Sequence, residues 1–200
     1  MKIGVLGGTF DPVHIGHLAV ADEVKARLGL AEVLFIPTGQ PWFKADVGIL
    51  PAEYRLEMVR LAIAGKPGLE LSDMEIKREG PTYTVDTIAE LRRQSSGEDE
   101  LYFIVGWDKL TELPGWRQPE CLVSMCRLVA VPRVGCPVPD LDALEGAIPG
   151  ISQRVVMLDK PQIDVSASII RQRVRRGLPI SRLVPEAVER YIREKGLYRG

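Results

Sequence analysis

This chain opens with a short apolar strand that ends in two glycines and leads into a helical pattern. The strand is Ile3 to Leu6, and the turn after it reads Gly7-Gly8-Thr9-Phe10-Asp11-Pro12. Both histidines of the 200-residue sequence, His14 and His17, follow on the first helical turn. Free backbone N–H groups and the helix dipole converge where a buried strand turns into a helix. This run therefore predicts an anion site beside two imidazoles.

Apolar strands alternate with helical patterns along the rest of the chain. We expect short buried strands at residues 2–6, 33–36, 69–72, 101–105, 127–131 and 154–158. Helical spacing occurs between them, in Leu18, Ala21, Val24 and Leu28, in Leu56, Val59 and Ile63 after Pro51, and in residues 83–94. Residues 37–50 and 132–153, with several Pro and Gly, are expected to be irregular.

This order predicts an α/β fold, a Rossmann-like doubly wound parallel sheet with helices on both faces. The length fits a single domain over residues 1–200. Ligands of such sheets bind at the carboxyl ends of the strands, where the strand order reverses. The first strand brings its glycine turn to that edge.

Composition excludes several classes of protein. The net charge of −1 indicates neither a nucleic-acid nor a membrane partner, and no apolar run approaches the roughly 18 residues that span a bilayer. Because the first strand starts at Lys2, we expect no signal peptide and a cytoplasmic protein. The three cysteines, Cys121, Cys126 and Cys136, are odd in number and lack metal-ligand spacing, which indicates reduced thiols and no protein metal site.

A second candidate anion site lies near the C-terminus, in the run Asp164-Val165-Ser166-Ala167-Ser168-Ile169-Ile170-Arg171. Ser166 is a candidate helix N-cap and Ser168 falls in the first turn, so two hydroxyls and free N–H groups face one point. Arg171, three residues after Ser168, projects from the same face. The alternative is a capped surface helix with a basic stripe.

These two runs resemble the signatures of the H-x-G-H nucleotidyltransferase superfamily, whose second signature is S-x-[ST]-x-x-R. The resemblance implies ATP binding, with His14, His17 and Arg171 as the catalytic residues. It further implies ATP contacts from Gly7, Gly8, Thr9, Phe10, Gly16, Gly106, Ser166, Ser168 and Arg171. Mg²⁺ would arrive with ATP, held largely by phosphate and water. Incidental surface histidines are the alternative interpretation of the first run.

Three elements in the middle of the chain resemble those of the bacterial nicotinate-nucleotide adenylyltransferases. They are Pro81-Thr82-Tyr83-Thr84 with Thr87, Gly106-Trp107-Asp108 and Pro114-Gly115-Trp116, and the closing run to Gly196-Leu197-Tyr198 is also similar. The resemblance implies transfer of AMP from ATP to nicotinate mononucleotide, with release of pyrophosphate, in NAD biosynthesis. It places the acceptor on Lys44, Tyr83, Thr84, Asp108 and Trp116.

The roles implied for the acceptor residues are chemically distinct. Trp116 would stack on the pyridine ring, and Asp108 would accept hydrogen bonds from ribose hydroxyls. Tyr83 and Thr84 would donate to the pyridine carboxylate. An ordinary rim aromatic at Trp116 and a plain helix cap at Thr84 are the alternatives.

Two positions depart from the family pattern. Phe43 stands where many relatives have a histidine, so that only Lys44 is carried over from that element. Trp107 stands where a small or polar residue is usual. Neither change affects the phosphate-transfer residues.

Other functions share parts of the pattern. Phosphopantetheine adenylyltransferases share the first run but lack the Tyr83 and Trp116 elements, and a cytidylyltransferase would differ in the residues that recognise the base. His14-Ile15-Gly16-His17 is also the tetrapeptide of class I aminoacyl-tRNA synthetases, which are much longer and have a second lysine-rich motif absent here. A non-catalytic nucleotide sensor is the last alternative. Preference for nicotinate over nicotinamide mononucleotide, and a monomer or a homo-oligomer, stay open.

Overall fold

A computed structural model describes residues 1–39 and 48–199, which form one sheet of six parallel strands with helices on both faces. The strands are β1 (Lys2–Gly8), β2 (Glu32–Pro37), β3 (Leu69–Leu71), β4 (Glu100–Gly106), β5 (Arg127–Val131) and β6 (Val155–Met157). The helices are α1 (Ile15–Leu28), α2 (Ala52–Ile63), α3 (Met74–Lys77), α4 (Thr84–Gln94), α5 (Trp107–Thr111), α6 (Pro119–Met125), α7 (Leu141–Ala147), α8 (Ala167–Arg175) and α9 (Glu186–Glu194).

The strand order places a topological switch point at the centre of the sheet. Neighbouring strands follow the order β3-β2-β1-β4-β5-β6, so the chain winds outward from β1 in one direction and then from β4 in the other. The crossovers leave a crevice at the carboxyl ends of β1 and β4. Gly8 ends β1 and Gly106 ends β4, so both glycines lie at this edge.

Two apolar clusters, one on each face of the sheet, hold the helices. Side chains of β4 alternate between them: Tyr102 and Ile104 join the first cluster, whereas Leu101, Phe103 and Val105 join the second. The first cluster receives residues from α1, α2, α8 and α9, and the second from α4 to α7. The helices that carry the two candidate anion sites, α1 and α8, therefore pack on the same face.

The predicted fold class and strands are confirmed. All six strands are present, with ends displaced by two residues or fewer, and helices α1, α2 and α4 occupy the predicted segments. The prediction of irregular chain over residues 132–153 is wrong between Leu141 and Ala147, where α7 begins behind an Asp140 cap. Asp140 accepts from the amides of Asp142 and Ala143, and this capping offsets the weak apolar pattern of α7. The predictions for Trp42, Phe43 and Lys44 lie outside the described residues.

The last helix ties the C-terminal segment to the body of the sheet. Val188 and Ile192 of α9 are buried in the first apolar cluster together with Met58 and Val59 of α2. The carbonyl of Leu183 accepts from the amide of Ile15, at the start of α1, with a donor–acceptor distance of 3.0 Å. Among the described residues, no helix combines the length and the apolar character that crossing a membrane requires.

If residues 1–200 fold as one unit, as the sequence predicts, weakening α9 should destabilise the whole sheet. Ile192→Ala removes a side chain that is 2% exposed, and we expect the free energy of unfolding to fall by about 2–4 kcal/mol. Urea unfolding followed by circular dichroism and by tryptophan fluorescence should give one coincident transition. Arg193→Ala, exposed on the same helix, should change stability by less than about 0.5 kcal/mol. Two separate transitions would contradict a single unit.

Candidate active site

A cleft of about 530 Å³ opens at the switch point and is lined by six stretches of the chain. They are the end of β1 with the turn after it and the first part of α1, Ile49, the end of β4 with Asp108 and Lys109, Trp116, residues 131–133 after β5, and residues 161–171 with the start of α8. The predicted site residues that line it are Gly7, Thr9, Phe10, His14, Gly16, His17, Gly106, Asp108, Trp116, Ser166, Ser168 and Arg171. Gly8, Tyr83 and Thr84 do not line it.

The two histidines form one stacked unit at the start of α1. Their ring centroids are 3.6 Å apart and the rings are inclined by 21°, while the Phe10 ring meets His17 edge-on at 4.9 Å. The backbone amide of His14, the N-cap residue, donates to Nδ1 of His17 at 3.1 Å. A neutral imidazole has one N–H. The proton of His17 therefore resides on Nε2, which is left as a hydrogen-bond donor.

Both imidazoles are neutral at physiological pH. Burial lowers the pKa of His14 to about 4, with the positive charge of Arg133 adding to the effect. Burial also lowers the pKa of His17 well below its usual value, because a second charge beside a protonated His14 and the cation of Arg133 is disfavoured. Each ring can thus donate one N–H to an anion without carrying a full charge. Nδ1 of His14 is buried and has no hydrogen-bond partner in the described structure.

Two glycines of the cleft make room for functional side chains. A Cβ at Gly16 would lie 3.0 Å from Nδ1 of His14, closer than packed side chains normally approach. A Cβ at Gly106 would lie 2.6 Å from Oδ1 of Asp108. Gly16 thereby lets the His14 imidazole fold over the helix start, and Gly106 lets the Asp108 carboxylate turn back towards the end of β4.

The predicted start of α8 is found as expected. Ser166 is the N-cap, and its Oγ accepts from the amide of Ile169 at 3.3 Å. Nη2 of Arg171 lies 3.5 Å from Oγ of Ser168, and its Nη1 donates to the backbone carbonyl of Asp11 at 2.7 Å. Arg171 therefore spans from α8 to the turn after β1. This contact joins the two candidate anion sites, which are about 160 residues apart in sequence, into one cleft.

Arg133, which sequence reasoning missed, supplies a further cation to this cleft. Its Nη1 donates to Oδ2 of Asp108 at 2.9 Å, and its side chain is 57% exposed. Oδ1 of Asp108 is buried and has no partner among the described residues. Asp108 can therefore still accept a hydrogen bond from a ligand. Since Arg133 lies just after the carboxyl end of β5, its position at the ligand-binding edge was a signal that could have identified it.

The predicted acceptor residues lie in two adjoining groups. Trp116 lines the cleft and meets the Phe103 ring edge-on, with centroids 6.2 Å apart. Tyr83 and Thr84 begin α4, where the guanidinium of Arg117 lies 4.6 Å from the centroid of the Tyr83 ring. Arg117 thus links the Trp116 turn to the start of α4 and brings a cation there. Sequence reasoning also missed Arg117.

The first turn of α4 is hydrogen-bonded to a buried carboxylate, that of Glu75. Thr87 Oγ1 donates to Oε1 of Glu75 at 2.7 Å, and Nη1 of Arg78 donates to the same hydroxyl at 3.0 Å. Arg78 is also paired with Glu90. Burial raises the pKa of Glu75. This network fixes the first turn of α4, in which Tyr83 and Thr84 lie.

A third missed arginine, Arg55, lies behind the turn that follows β1. It is 2% exposed, and its hydrogen bonds within the described residues all go to backbone carbonyls. Nε donates to Leu50 at 3.0 Å, Nη1 to Thr9 at 3.0 Å and to Thr38 at 2.7 Å, and Nη2 to Gly39 at 3.3 Å. The guanidinium therefore connects the turn after β1, the end of β2 and the approach to α2.

The described residues contain no group of three or more His, Cys, Asp or Glu side chains placed to hold a metal ion. Within residues 1–39 and 48–199, two carboxylates line the cleft. Asp11 accepts from the hydroxyl of Tyr198 and from the amide of Leu50, while Asp108 accepts from Arg133 and keeps one oxygen unpaired.

Comparison with known proteins relates this chain to one family. Residues 5–173 match the family model described as Cytidylyltransferase-like. A protein of Dehalococcoides mccartyi named probable nicotinate-nucleotide adenylyltransferase is 54% identical over 198 residues, which cover 99% of this chain and 97% of that protein. A protein of Roseiflexus sp. with the same name is 45% identical over 197 residues, 98% of each chain.

Solved structures have the same fold. Nicotinic acid mononucleotide adenylyltransferase of Plasmodium falciparum complexed with NaAD superposes with a TM-score of 0.81 over 98% of this chain and 97% of that chain, at 19% identity. The same enzyme complexed with APC gives a TM-score of 0.80 at 18% identity. At this level of identity, the likeness concerns the fold alone.

The protonation states of the cleft can be measured directly because the chain has only two histidines. Long-range ¹H–¹⁵N spectra should show two imidazoles that are neutral at pH 7, with the proton of His17 on Nε2. His14→Asn removes one spin system and assigns both. We expect His14 to titrate near pH 4. Titration of either ring near its ordinary value of 6.5 would contradict the neutral pair.

The same shift predicts how stability depends on pH. Below pH 6.5 the unfolded chain binds a proton at His14 that the folded chain does not bind until about pH 4. The contribution of neutral His14 to the free energy of unfolding is therefore fully present above pH 6.5. About 3 kcal/mol of that free energy is lost as the pH falls to about 4. His14→Asn should lose correspondingly less stability over this window in parallel urea titrations.

Proposed function

The chain belongs to the cytidylyltransferase-like family, and on that premise we propose that it transfers AMP from ATP to nicotinate mononucleotide, forming deamido-NAD and pyrophosphate. The observation that carries this proposal is the convergence of His14, His17, Ser168 and Arg171 on one cleft at the switch point. That arrangement suits a nucleoside triphosphate whose phosphates run from the start of α1 to the start of α8.

The reaction needs no nucleophilic side chain. An oxygen of the 5′-phosphate of nicotinate mononucleotide attacks the α-phosphorus of ATP, and the bond from that phosphorus to the bridging oxygen breaks, which releases pyrophosphate. The attacking phosphate is already an anion at neutral pH. The protein therefore contributes positioning and electrostatic stabilisation of the phosphoryl oxygens.

We assign His14 and His17 to the α-phosphate. The Nε2–H of His17 is left free to donate because its Nδ1 accepts from the amide of His14. Negative charge that grows on the α-phosphoryl and bridging oxygens strengthens hydrogen bonds from these preorganised donors. Stacking of the two rings on each other and against Phe10 keeps their orientation fixed.

We assign the start of α8 to the leaving group. Ser166, Ser168 and the free amides of the first turn accommodate the β- and γ-phosphates, with Arg171 as the cation that neutralises pyrophosphate. The main chain of Gly7, Gly8, Thr9 and Phe10, with Gly16 and Gly106, is proposed to lie against the nucleotide. Mg²⁺ would arrive with ATP and be held largely by phosphate oxygens and water, where it would neutralise phosphate charge. The one carboxylate oxygen of the cleft without a partner among the described residues, Oδ1 of Asp108, fits such a loosely held ion.

The acceptor is proposed to occupy the side of the cleft nearest Trp116. The indole stacks on the pyridine ring, Oδ1 of Asp108 accepts from a ribose hydroxyl, and Thr84 presents helix-start donors to the carboxylate. Tyr83 contributes from the same turn, and Arg117, stacked on its ring, adds a positive charge. Lys44 is proposed to contact a substrate phosphate.

The domain organisation and the cellular location are proposed on the same premise. We propose that residues 1–200 form a single nucleotidyltransferase domain, since α8 and α9 pack in the same apolar cluster as α1 and α2. We also propose a cytoplasmic location. The absence of disulfides among Cys121, Cys126 and Cys136 fits a reducing compartment.

A pyrophosphate-release assay with MgATP tests the proposed reaction. Nicotinate mononucleotide, nicotinamide mononucleotide, phosphopantetheine and a CTP-dependent control are compared in parallel. We expect turnover with nicotinate mononucleotide, and a loss of about 10²–10³-fold in kcat for His17→Ala, because one preorganised donor to the transition state is removed.

The outcomes separate the alternatives. Preferred use of phosphopantetheine or of CTP would replace the proposed function by that of another member of the superfamily. ATP binding without turnover on any acceptor would indicate a sensor. Lys109→Ala, at the rim of the same cleft, is the matched control for loss of a side chain near the nucleotide.

Selectivity for the acid over the amide tests the role of Arg117. Arg117→Gln keeps a polar side chain and removes the cation beside Tyr83, so we expect kcat/KM for nicotinate mononucleotide to fall about 5–10-fold. The value for nicotinamide mononucleotide should stay within twofold, because an amide gains little from the charge. Arg93→Gln, exposed on the last turn of α4, is the control. Equal losses for both acceptors would assign Arg117 to structure alone.

A further inference from the structure

The C-terminal tyrosine reaches the turn that carries the first anion motif. The hydroxyl of Tyr198 donates to Oδ1 of Asp11 at 2.6 Å, across 187 residues of sequence. Asp11 is 3% exposed, and the main chain of Tyr198 has φ of 64°, in the left-handed region. The left-handed conformation is less favourable in free energy for a tyrosine, and a specific contact such as this hydrogen bond offsets that difference. None of the roles proposed above uses this contact.

Asp11 is also the residue to which Arg171 is anchored. Its backbone carbonyl accepts from Nη1 of Arg171 at 2.7 Å, and its second carboxylate oxygen lies 3.4 Å from the amide of Leu50. The carboxylate of Asp11 is thus held on one side by Tyr198 and on the other by the segment before α2. Holding the side chain of Asp11 fixes the orientation of its carbonyl, which in turn fixes the guanidinium.

Tyr198 is suited to be a permanent donor in this chain of contacts. Its burial, together with the charge of Asp11 and the hydrogen bond to it, raises the pKa of Tyr198 above the ordinary tyrosine value of 10. The phenol therefore keeps its proton at every pH at which the protein works. A phenol donating to a carboxylate is a charge-assisted hydrogen bond, among the stronger kinds in proteins.

We propose that Tyr198 is a positioning residue for adenylyl transfer, acting through Asp11 to hold Arg171 in place for the leaving pyrophosphate. The proposal deepens the proposed function and rests on it for the role of Arg171. A free arginine side chain samples many rotamers. When the protein restricts these rotamers before ATP binds, the conformational entropy lost on binding is smaller. The hydrogen bond that the Arg171 guanidinium donates to the Asp11 carbonyl restricts it to the orientation that faces the cleft.

Tyr198→Phe removes only the hydroxyl and keeps the ring in its packing. We expect kcat/KM for ATP to fall about tenfold, as for loss of one charge-assisted hydrogen bond, with KM for nicotinate mononucleotide within twofold of wild type. Tyr191→Phe, which removes a hydroxyl from α9 outside the cleft, is the matched control and should retain full activity. Melting temperatures of both variants are measured to check that they are folded.

A double-mutant cycle distinguishes positioning from a structural role. In an Arg171→Ala background, Tyr198→Phe should reduce kcat/KM by less than twofold, because the side chain through which it acts is gone. A tenfold loss in both backgrounds, or wild-type activity of Tyr198→Phe alone, would overturn the proposal.

The wild type, Tyr198→Phe, Arg171→Ala and the double variant are also titrated with a non-hydrolysable ATP analogue. Binding of the analogue needs no acceptor. Coupling between Tyr198 and Arg171 in analogue affinity, with no formation of deamido-NAD by the wild type, would reject the proposed function and keep the positioning role for nucleotide binding. Additive effects on affinity together with an active wild type would reject the positioning role alone. If the wild type binds no analogue, both fail.

Discussion

The buried guanidinium of Arg55 holds together the loops from which the β1 end of the cleft is built. A cation that is 2% exposed costs several kcal/mol in lost hydration unless its donors find acceptors. Here four backbone carbonyls take the place of water, and the nearby charge of Asp11 favours the cationic form. Because those carbonyls lie on separate connections of the sheet, the end of β1 and the end of β2 keep a fixed distance from α2. The histidines, Asp11 and Arg171 are all attached to this frame.

Much of the fold could be predicted because parallel strands buried on both faces are continuous apolar runs. The strand β5 was predicted to the residue, and β1 extends only into its own glycines. Helix α7 was missed because it has seven residues and buries only Leu144, too few apolar positions for a helical period. Its Asp140 cap was the available signal. The short helices α5 and α6 were missed for the same reason of length.

For the site, the contiguous motifs could be predicted from the sequence, whereas contacts between distant residues could not. The residues around His14 and Ser166 could be predicted because each motif is a contiguous run with its own capping and spacing. Arg55 gave a weaker signal, a charged residue in phase with the apolar stripe of α2. The bond between Tyr198 and Asp11 could not be derived from one sequence, since nothing in either local run specifies a partner 187 residues away. The neutral state of the histidines likewise depends on burial that only the folded chain creates.

The uncharged state of the stacked histidines affects which ions the cleft can retain. Two imidazolium groups would attract any phosphate within a Debye length, about 8 Å at physiological ionic strength. Neutral donors instead stabilise only an oxygen that lies in line with their N–H bonds. Free orthophosphate lacks the ribose and base contacts that would align it there, so we expect it to compete poorly at the histidine end of the cleft. On the proposed role of the histidines, selectivity against small anions at that end would follow from buried, neutral rings, and lysines at the same two positions would remove it.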